Sequence, residues 1–575
     1  MKNKEIAAVL AGIADLLEIL GEDPFRINSY RKAARAIEDL SEAVEDVAAA
    51  GRLQEIAGIG KSTAEKITQY LSTGKVAQYE ELLAKVPPKL PELLAVPGLG
   101  PKTTAKLWKE AGITSVAELE HAIEDEPARL AELHGFGARK VRQIWESLAF
   151  MRSVGQRLRL GDAQAIADTL AKAVAAEKGA EEVVAAGSLR RGKETVGDID
   201  LLCRAPKAAA PKIIDGFTST PGVVRVLAKG ETKGSVVLER QVQADLRVVG
   251  PESFGAALAY FTGSKEHNIR LRELAQKKGL KLNEYGLFRG DKQVAGKDEE
   301  GIYKALGLPY VPPELREDHG EVEAAAKGEL PDLLELADIR GDLHMHTNAS
   351  DGVNTIDEMV AACRARGYAY MAICDHSKSQ IQANGLDEKR LAEQAAAIRK
   401  AGKKHKDILV LAGVEVDIFK DGRLDFEADV LAELDFVTAS AHSALKMGRE
   451  EATKRLIRAI EHPHVHCIGH PSGRLINSRP GMELDIEPIA RAAAANGVAL
   501  EINANPLRLD LRDVHVRAAL AAGAKILINT DAHATAELDL MRYGVITARR
   551  GWAQKKDILN TLPAEQLKTW LSRRQ

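Results

Sequence analysis

Residues 185–203 read AAGSLRRGKETVGDIDLLC, and this stretch decides how the central part of the chain folds. Its last residues alternate acidic and apolar side chains, which is typical of a half-buried strand. Asp198 and Asp200 lie two positions apart, so both carboxylates project from one face of that predicted strand. A later predicted strand, VQADLRVV (242–249), carries a third acid, Asp245. We therefore expect a β-sheet with three carboxylates gathered on one face.

The three acids predict a metal site. Converging carboxylates repel one another unless cations neutralise them. Oxygen-only ligands favour hard ions, so Asp198, Asp200 and Asp245 predict bound Mg²⁺ or Mn²⁺. Two such ions can activate an attacking hydroxyl and stabilise a leaving pyrophosphate in an in-line displacement. These acids are the candidate catalytic and metal-binding residues of the sheet.

A glycine-serine turn precedes the acids. Gly187 and Ser188 can hold triphosphate oxygens, and Arg191 can neutralise the charge that develops there. An isolated D-x-D is usually only an exposed strand, but here the turn precedes it and a third acid follows. The whole pattern resembles the nucleotidyltransferase signature, which implies a palm-like domain built on a mixed sheet.

The next block, residues 259–287, reads AYFTGSKEHNIRLRELAQKKGLKLNEYGL and resembles the nucleotide-binding segment of family X DNA polymerases. The resemblance covers residues 1–312. It implies that Tyr260 and Phe261 pack near the incoming sugar, that Gly263 leaves room, and that Asn268 contacts the base edge. The alternative is that Tyr260 and Phe261 are ordinary core aromatics.

Three similar segments occur near the N-terminus: EIAGIGKSTAEKI (55–67), AVPGLGPKTTAKLW (95–108) and ELHGFGARKVRQIW (132–145). Each places two glycines before an amphipathic helix and resembles the helix-hairpin-helix motif. The glycines allow a tight turn, and the helix start offers free N–H groups to a DNA phosphate. The alternative is a mere turn between helices. The candidate DNA-binding glycines are Gly58, Gly60, Gly98, Gly100, Gly135 and Gly137.

The segment FRINSYRKAARAIEDL (25–40), together with AEKI (64–67), looks like the small lyase domain of the same polymerase family. On that resemblance Lys66 occupies the position of the lysine that forms a Schiff base. A lysine with a lowered pKa could attack an abasic sugar aldehyde. The alternative, a lysine that only contacts phosphate, stays open.

Residues 340–575 alternate short apolar strands with helical patterns, which suggests a parallel barrel with its chemistry at the C-terminal ends of the strands. His344 and His346 lie on one face of the first strand and can bind one metal together. Further candidate ligands fall at the ends of later strands or in the first loop: Asp351, His376, Glu415, His442, His470, Asp531 and His533.

The motifs GDLHMHTNASDG (341–352) and NTDAH (529–533) look like those of the PHP phosphoesterases. This resemblance implies a distorted barrel with three divalent metals, for which mixed histidine and carboxylate ligands suit Mn²⁺, Zn²⁺ or Fe. We interpret His462, His464 and His466 as loop or strand histidines outside the site. We interpret His405 and His515 as solvated, and Asp375 as orienting a ligand. We expect a working hydrolase, because all ligand positions are filled.

The fold class expected is a multidomain α/β protein with helical helix-hairpin-helix domains, a nucleotidyltransferase palm with a mixed sheet, a thumb and a distorted (β/α)7 PHP barrel. The expected domains are a lyase-like DNA-binding domain (1–85), helix-hairpin-helix fingers (86–150), palm (151–250), thumb (251–312), an exposed acidic linker (313–338) and the PHP phosphoesterase (339–575).

Composition alone argues against nucleic acid, because 80 basic and 83 acidic residues give a net charge of −3. Residues 151–300, however, carry 25 basic and 20 acidic side chains, a local net charge of +5. No apolar run is long enough to span a membrane, and four scattered cysteines favour a reducing compartment. We therefore expect a cytoplasmic monomer without a membrane partner.

The combined motifs resemble bacterial family X DNA polymerases with a C-terminal PHP domain. That resemblance implies template-directed gap filling on primed or gapped double-stranded DNA with deoxynucleoside triphosphates, in base excision repair. It also implies a metal-dependent 3′→5′ exonuclease, with AP endonuclease or 3′-end processing in the same barrel. One alternative is a phosphoesterase acting on small phosphate monoesters, with a non-catalytic N-terminal half. The other is a non-enzymatic DNA-binding scaffold.

Overall fold

The structure is a computed structural model, and it describes residues 2–38, 44–56, 58–96, 99–125, 127–133, 136–137, 140–142, 144–145, 148 and 157–572. The chain divides into two compact units, residues 1–155 and residues 156–575. Within the described residues, no helix is both long enough and apolar enough to cross a membrane.

The described part of the first unit is helical, as predicted. Its helices are α1 (Asn3–Leu20), α2 (Pro24–Glu38), α3 (Val44–Ala49), α4 (Lys61–Thr73), α5 (Ala77–Leu83), α6 (Pro101–Ala111), α7 (Val116–Asp125) and α8 (Pro127–Glu132). Helix α1 buries Ile6, Leu10 and Ile13, which recur every three or four residues along one face. It ends at Gly21, whose φ of 83° is left-handed backbone that glycine adopts without strain.

The three glycine segments share one backbone turn. In each, the amide of the apolar residue between the two glycines donates to the carbonyl three residues earlier. These bonds run from Ile59 to Ile56 at 2.9 Å, from Leu99 to Val96 at 3.0 Å, and from Phe136 to Leu133 at 2.9 Å. Gly60 and Gly100 then stand at the N-caps of α4 and α6. The repeat seen in the sequence is therefore also a repeat in the backbone.

A five-stranded mixed sheet organises the first part of the second unit. Its strands, in spatial order, are β2 (Glu182–Ala185), β4 (Ile199–Arg204), β7 (Gln243–Val249), β6 (Lys233–Leu238) and β5 (Val223–Lys229). Strands β4 and β7 are parallel, and the other neighbours are antiparallel. A separate antiparallel pair consists of β1 (Leu158–Arg159) and β3 (Thr195–Val196). The short helix α10 (Gly187–Arg190) follows β2, while α9 (Leu160–Ala175) and α11 (Ala210–Thr218) pack against the sheet.

The segment after the sheet is helical and then forms a small antiparallel sheet. Its elements are α12 (Phe254–Thr262), α13 (Lys265–Lys277), β8 (Lys281–Asn283), β9 (Gly286–Arg289), β10 (Lys292–Ala295) and α14 (Glu299–Ala305). Strand β9 lies between β8 and β10. The Ser264 side chain caps α13 by accepting a hydrogen bond from the amide of His267.

The structure differs from the predicted exposed linker at residues 313–338. Arg316 and Glu321 are completely buried. Arg316 Nη1 lies 2.6 Å from Glu299 Oε1. Glu321, the first residue of α15 (Glu321–Lys327), lies 2.6 Å from His267 Nδ1. The expectation of exposure is wrong here, because acids that composition assigns to solvent instead pair with buried basic side chains.

A seven-stranded parallel sheet forms the C-terminal part of the second unit. Its strands are β11 (Gly341–Met345), β12 (Tyr370–Ile373), β13 (Leu409–Asp417), β14 (Phe436–Ser440), β15 (Cys467–Ile468), β16 (Ala499–Asn503) and β17 (Lys525–Asn529), in that spatial order. The chain after β17 returns to the chain after β11, where the His346 amide donates to the Ala532 carbonyl at 2.8 Å. The predicted barrel is confirmed as nearly closed.

Helices connect or follow the barrel strands. They are α16 (Ile356–Ala365), α17 (Glu388–Lys404), α18 (Ala428–Ala432), α19 (Arg449–Ile460), α20 (Ile486–Asn496), α21 (Asp513–Ala521), α22 (Met541–Arg550) and α23 (Ala564–Leu571). The strands are buried on both faces, which explains their nearly continuous apolar sequences.

Candidate functional site

The predicted acid cluster lies where β4 and β7 run side by side. Asp200 and Asp245 are direct register partners in this parallel pair. Asp198 stands one residue before the start of β4 rather than inside the strand. Burial, together with the neighbouring charges of Asp198 and Asp245, raises the pKa of Asp200 to about 7. The three acids therefore act on one another electrostatically, as a shared cation site requires.

Gly187 connects the glycine-serine turn to the acid cluster. Its φ is +61°, and a Cβ atom added there would lie 2.3 Å from Asp200 Oδ2. The Ala186 amide also donates to the Asp200 backbone carbonyl at 2.8 Å. Only glycine fits this position. The turn that carries Ser188 is thereby held against the carboxylates.

Arg191 is paired with an acid. Its Nε lies 3.1 Å from Glu317 Oε1, and its Nη1 donates to the Thr262 carbonyl. The preceding arginine, Arg190, forms a different pair with Glu299 at 2.6 Å. The sequence did not point to Glu299 or Glu317, because each lies more than a hundred residues from its arginine.

The predicted nucleotide-binding aromatics lie at the end of α12. Tyr260 is 40% exposed, so it is not a core residue, whereas Phe261 is half-buried beneath the Arg247 guanidinium at 4.3 Å. Asn268 Nδ2 donates to the Tyr260 carbonyl at 2.8 Å. Gly263 has a φ of +68°, and a Cβ atom there would lie 3.1 Å from Arg191 Nη1. The structure thus brings this block and the glycine-serine turn together.

The predicted barrel ligands converge at the C-terminal ends of the strands. Three sets of side-chain atoms could each hold a metal ion: His346, Asp351, His376 and His533; His344, His346 and Asp531; and His376, Glu415 and His442. His346 and His376 each belong to two sets, so the three candidate positions are neighbours. This arrangement suits a trinuclear centre.

Glu415 lies at the middle of the cluster and is 1% exposed. Its carboxylate oxygens lie 2.7 Å from His376 Nδ1, 3.0 Å from His470 Nε2 and 3.4 Å from His442 Nε2. His470 belongs to none of the three sets, but this contact places it beside them. All nine predicted ligands therefore lie in one cluster.

The donor atoms are suited to metal ions. His344 Nε2, His346 Nδ1 and His470 Nδ1 are buried without a hydrogen-bond partner. Burial and the neighbouring His376 lower the pKa of His346 to about 4, which keeps this imidazole neutral at physiological pH. Nearby carboxylates outweigh burial at His376, His442 and His533 and raise their pKa values to about 10, 9 and 9, so a metal must displace their protons. A neutral imidazole is the form that binds a metal. The mixed nitrogen and oxygen set fits Mn²⁺, Zn²⁺ or Fe.

A groove opens beside the cluster on the same face of the barrel. Its lining includes Ser443, directly after His442 in the chain, and Phe419, two residues after the end of β13. The lining side chains are Phe419, Lys420, Asp421, Arg423, Ser443, Met447, Glu451, Lys454, Arg455 and Arg458. Five are basic and two are acidic, so the groove attracts anions.

Comparison with known proteins matches the regions that contain these sites to known domain families. Residues 159–245 match the DNA polymerase beta palm and residues 257–317 the DNA polymerase beta thumb. Residues 1–76 match a helix-hairpin-helix domain, residues 90–149 a SAM-like helix-hairpin-helix tandem, and residues 342–505 the PHP domain. The "DNA polymerase/3′-5′ exonuclease PolX" of Bacillus subtilis (strain 168) is 39% identical over 578 residues, which cover 100% of both chains. The chain belongs to the PolX family.

Other relatives match only part of this chain. A "Probable phosphatase" of Shewanella sediminis is 28% identical over 243 residues, which cover 40% of this chain and 94% of that protein. A "Probable phosphatase" of Caldicellulosiruptor bescii is 33% identical over 166 residues, which cover 28% of this chain and 64% of that protein.

Second-layer residues of this PolX barrel were missed by sequence reasoning. Glu501 Oε1 lies 2.8 Å from His344 Nδ1, and Asp417 Oδ1 lies 2.5 Å from His442 Nδ1. Asn503 donates to Asp531 at 2.9 Å. A two-residue spacing in the sequence could have identified them. Glu501 and Asn503 lie two residues apart on β16, and Asp417 lies two residues after Glu415 on β13, so the members of each pair share a strand face.

Asp375 supports the ligand Asp351 indirectly, through the loop that carries it, and not the adjacent His376. Its carboxylate accepts hydrogen bonds from the Thr347 amide at 2.8 Å and from the Ser350 hydroxyl at 2.7 Å. Gln394 also donates to it at 2.7 Å. Asp375 therefore fixes the loop that carries Asp351 into the PolX metal cluster.

The other histidines lie outside the cluster, as interpreted. His466 is buried, its Nδ1 accepts from the Val437 amide at 3.1 Å, and its ring stacks on Phe436. His462 and His464 contact each other. His405 and His515 are half-buried rather than fully solvated.

The N-terminal unit of this PolX chain carries the remaining predicted residues. Gly58 and Gly137 have left-handed φ angles of +96° and +60°. Gly98 and Gly135 lie outside the described residues. Lys66 is half-buried, and its Nζ donates to the Ser62 hydroxyl at 2.7 Å.

Proposed function

We propose that this PolX chain is a template-directed DNA polymerase that fills short gaps, with a metal-dependent 3′→5′ exonuclease in its barrel. The observation that carries the polymerase assignment is the register pair of Asp200 and Asp245 with Gly187 packed against it. That arrangement joins a cation site to a turn suited to phosphate. The full-length likeness to a PolX enzyme supports both activities.

At the polymerase site, Asp198, Asp200 and Asp245 would hold Mg²⁺ or Mn²⁺. Such ions lower the barrier to in-line attack by a primer 3′ hydroxyl. The triphosphate would bind at Gly187, Ser188 and Arg191. Tyr260 and Phe261 would line the sugar pocket, Gly263 would leave room beside it, and Asn268 would contact the base edge. An aromatic wall there disfavours a 2′ hydroxyl sterically.

At the barrel site, the nine clustered ligands would hold three divalent metals, for which Mn²⁺, Zn²⁺ and Fe are the candidates. These ions would supply Lewis acidity for phosphodiester hydrolysis. His442 is positioned by Asp417, and His344 by Glu501. AP endonuclease and 3′-end processing would use the same centre, in base excision repair.

The basic groove favours a polynucleotide substrate over a small phosphate monoester. A monoester needs only the metal cluster, whereas a DNA strand needs cations along its path. The groove is lined by Ser443, the residue after His442, and by basic side chains that include Lys420 and Arg458. The relatives that match only part of this chain are named probable phosphatases, so the monoester alternative is tested directly below.

We propose that the glycine hairpins bind DNA phosphates at the N-termini of α4 and α6. Lys66 is the candidate lyase nucleophile, and borohydride trapping on an abasic substrate tests it. A covalent adduct that disappears in Lys66→Ala supports the lyase, whereas an adduct that persists in this variant excludes Lys66.

We further propose a cytoplasmic monomer, for which four buried free cysteines fit a reducing compartment. Light scattering tests the oligomeric state.

The decisive experiment uses a labelled one-nucleotide-gap duplex with Mn²⁺, with and without nucleotides. We expect extension when nucleotides are present and shortening when they are absent. Asp198→Ala should abolish extension and keep shortening, and His344→Ala should do the reverse. Extension by Asp198→Ala would refute the polymerase site. Hydrolysis of a small monoester without any shortening of DNA would favour the phosphatase alternative, and neither activity would favour a scaffold.

A further inference from the structure

The predicted triphosphate turn touches the barrel. We call residues 187–194 the triphosphate loop. Gly192 in this loop has a φ of +66°, and a Cβ atom there would lie 2.1 Å from the Cγ2 of Ile546 in α22. Glu194, at the end of the loop, pairs with Arg474 of the barrel at 2.8 Å. The loop is therefore packed on barrel residues as well as on its own sheet.

Arg550, the last residue of α22, forms the most direct connection. Its side chain is 5% exposed. Its Nη1 donates to the Arg191 backbone carbonyl at 2.7 Å, and its Nη2 lies 2.7 Å from Asp513 Oδ2 within the barrel. One guanidinium thus joins the barrel to the backbone of the residue predicted to bind triphosphate.

Arg550 and Arg191 also share one carboxylate. Glu317 Oε1 lies 3.0 Å from Arg550 Nη1, 3.1 Å from Arg191 Nε and 3.7 Å from Lys193 Nζ. Glu317 is 13% exposed. Arg191 and Arg550 hold the pKa of Glu317 below its ordinary value, so it is ionised at physiological pH. A nearly buried carboxylate of this kind needs a cation at all times.

We propose that Arg550 is a positioning residue of the polymerase site, which keeps Arg191 available to the incoming triphosphate. This inference rests on the proposed polymerase function. When Arg191 turns towards a triphosphate, Glu317 keeps Arg550 as its partner and is not left unpaired. Without Arg550, Glu317 depends on Arg191 and Lys193, so it holds Arg191 away from the nucleotide. The loss of the hydrogen bond from Arg550 to the Arg191 carbonyl also makes Arg191 less available to the nucleotide.

The test is the split between KM and kcat in gap filling. We expect Arg550→Met to raise the KM for the nucleotide by roughly tenfold or more, because the loss of one partner leaves a buried charge poorly compensated. The value of kcat should stay within about twofold, because no group at the reacting atoms changes. The exonuclease rate should be unchanged, since Arg550 contacts none of the nine clustered ligands.

Arg549 provides a matched control on the same helix. It pairs with Glu314 at 2.7 Å and with Glu335 at 2.6 Å, and it is 14% exposed. Arg549→Met removes the same number of charges from the same element without touching Arg191 or Glu317. We expect it to leave the KM for the nucleotide unchanged. An equal rise in both variants would overturn the inference, because the effect would then be a general loosening of α22.

A double variant separates charge sharing from general damage. In Arg550→Met with Glu317→Gln, no carboxylate holds Arg191, so the KM should return to within about threefold of the wild type. A KM that stays as high as in Arg550→Met alone would overturn the inference. If Arg550→Met does not fold, Arg550→Lys keeps the charge but not the paired bonds, and it should give an intermediate KM. A wild-type KM for Arg550→Lys, or for a folded Arg550→Met, would overturn the inference.

Failure of this inference is distinct from failure of the proposed function. If the wild-type chain does not extend a gapped primer, the polymerase assignment itself is wrong. If it extends the primer and Arg550→Met does so with an unchanged KM, only the role of Arg550 is wrong.

Discussion

At the scale of single residues, Asp200 shows that a residue of the polymerase site lowers the stability of the folded chain. Its pKa is about 7 in the folded chain against an ordinary value of 3.8, mainly because the carboxyl is buried. The folded state therefore binds this proton more tightly than the unfolded state does. Stability falls as the pH rises from about 4 to about 7, and the full penalty, at most about 4 kcal/mol, applies above that range.

Asp200→Asn should therefore stabilise the metal-free protein. We expect a higher melting temperature than the wild type at pH 8 with a chelator, measured by calorimetry. The difference should narrow at pH 5, where the wild-type carboxyl is protonated, and in saturating Mg²⁺, which neutralises the acids. The same variant should lose polymerase activity. Equal melting temperatures at pH 8 would contradict the proposed burial penalty.

Glu501 permits a test of metal binding one layer away from the ligands. It lies 2.8 Å from His344 Nδ1, and it also accepts the His470 amide at 2.7 Å. Glu501→Gln should lower metal affinity or exonuclease activity by roughly 10- to 100-fold. Metal analysis after dialysis and the Mn²⁺ dependence of exonuclease rate measure this. Polymerase activity serves as the internal control, and an unchanged Mn²⁺ dependence would show that Glu501 does not tune the ligand.

At the scale of elements, the glycine hairpins show two different reasons why a glycine occupies a given position. Gly58 has a left-handed φ of +96°, whereas a Cβ atom on Gly60 would meet nothing within 4 Å, and the φ of Gly60 is −85°. The fold therefore requires glycine at 58 but not at 60. Gly60 is also the N-cap of α4, where glycine is favoured over alanine, and under the proposed hairpin function it leaves room for a DNA phosphate at the start of that helix.

This contrast predicts different outcomes for two alanine variants. Gly58→Ala should destabilise the first unit by about 1 kcal/mol, because alanine is strained in left-handed backbone. Gly60→Ala should lower the melting temperature only slightly but weaken DNA binding by roughly tenfold, about the loss of one charge-assisted hydrogen bond. Fluorescence anisotropy with gapped DNA measures the binding. Unchanged DNA binding by Gly60→Ala would favour the alternative that this hairpin is only a turn between helices.

The sequence predicted secondary-structure elements, and the faces and ends of its strands, better than contacts between distant residues. Asp198 and Asp200 were found because residues two apart project from one face of a strand, although Asp198 lies one residue before β4. The barrel ligands were found because parallel strands end at one edge.

Arg190 and Glu299 were missed because their pairing joins residues that are 109 positions apart. No local pattern contains that contact. The exposure expected for residues 313–338 failed at Arg316 and Glu321 for the same reason, because their partners Glu299 and His267 lie outside that segment.

At the scale of the whole molecule, the basic groove beside the barrel cluster should govern how DNA reaches the exonuclease. Lys420→Ala with Arg458→Ala should raise the KM for single-stranded DNA. It should also reduce the slope of log affinity against log salt by about 1.4, for two lost phosphate contacts. Hydrolysis of a small phosphodiester should be unchanged. Lys404→Ala on α17 is the control, since Lys404 is exposed, pairs with Asp357 and lies outside the groove.

The buried pairs of residues 313–338 have a consequence for anyone who wishes to separate the two enzymes of this chain. A fragment that ends at residue 312, where the family resemblance in the sequence ends, would discard Arg316 and Glu321. Glu299 would keep Arg190 as its basic partner but lose Arg316, and His267 would lose its carboxylate. Breaking the buried ion pair of Arg316 and Glu299 costs about 3–5 kcal/mol, a large share of the stability of a small domain, and His267 loses a buried hydrogen bond in addition. The shortest polymerase with an intact thumb therefore extends through α15, to Lys327.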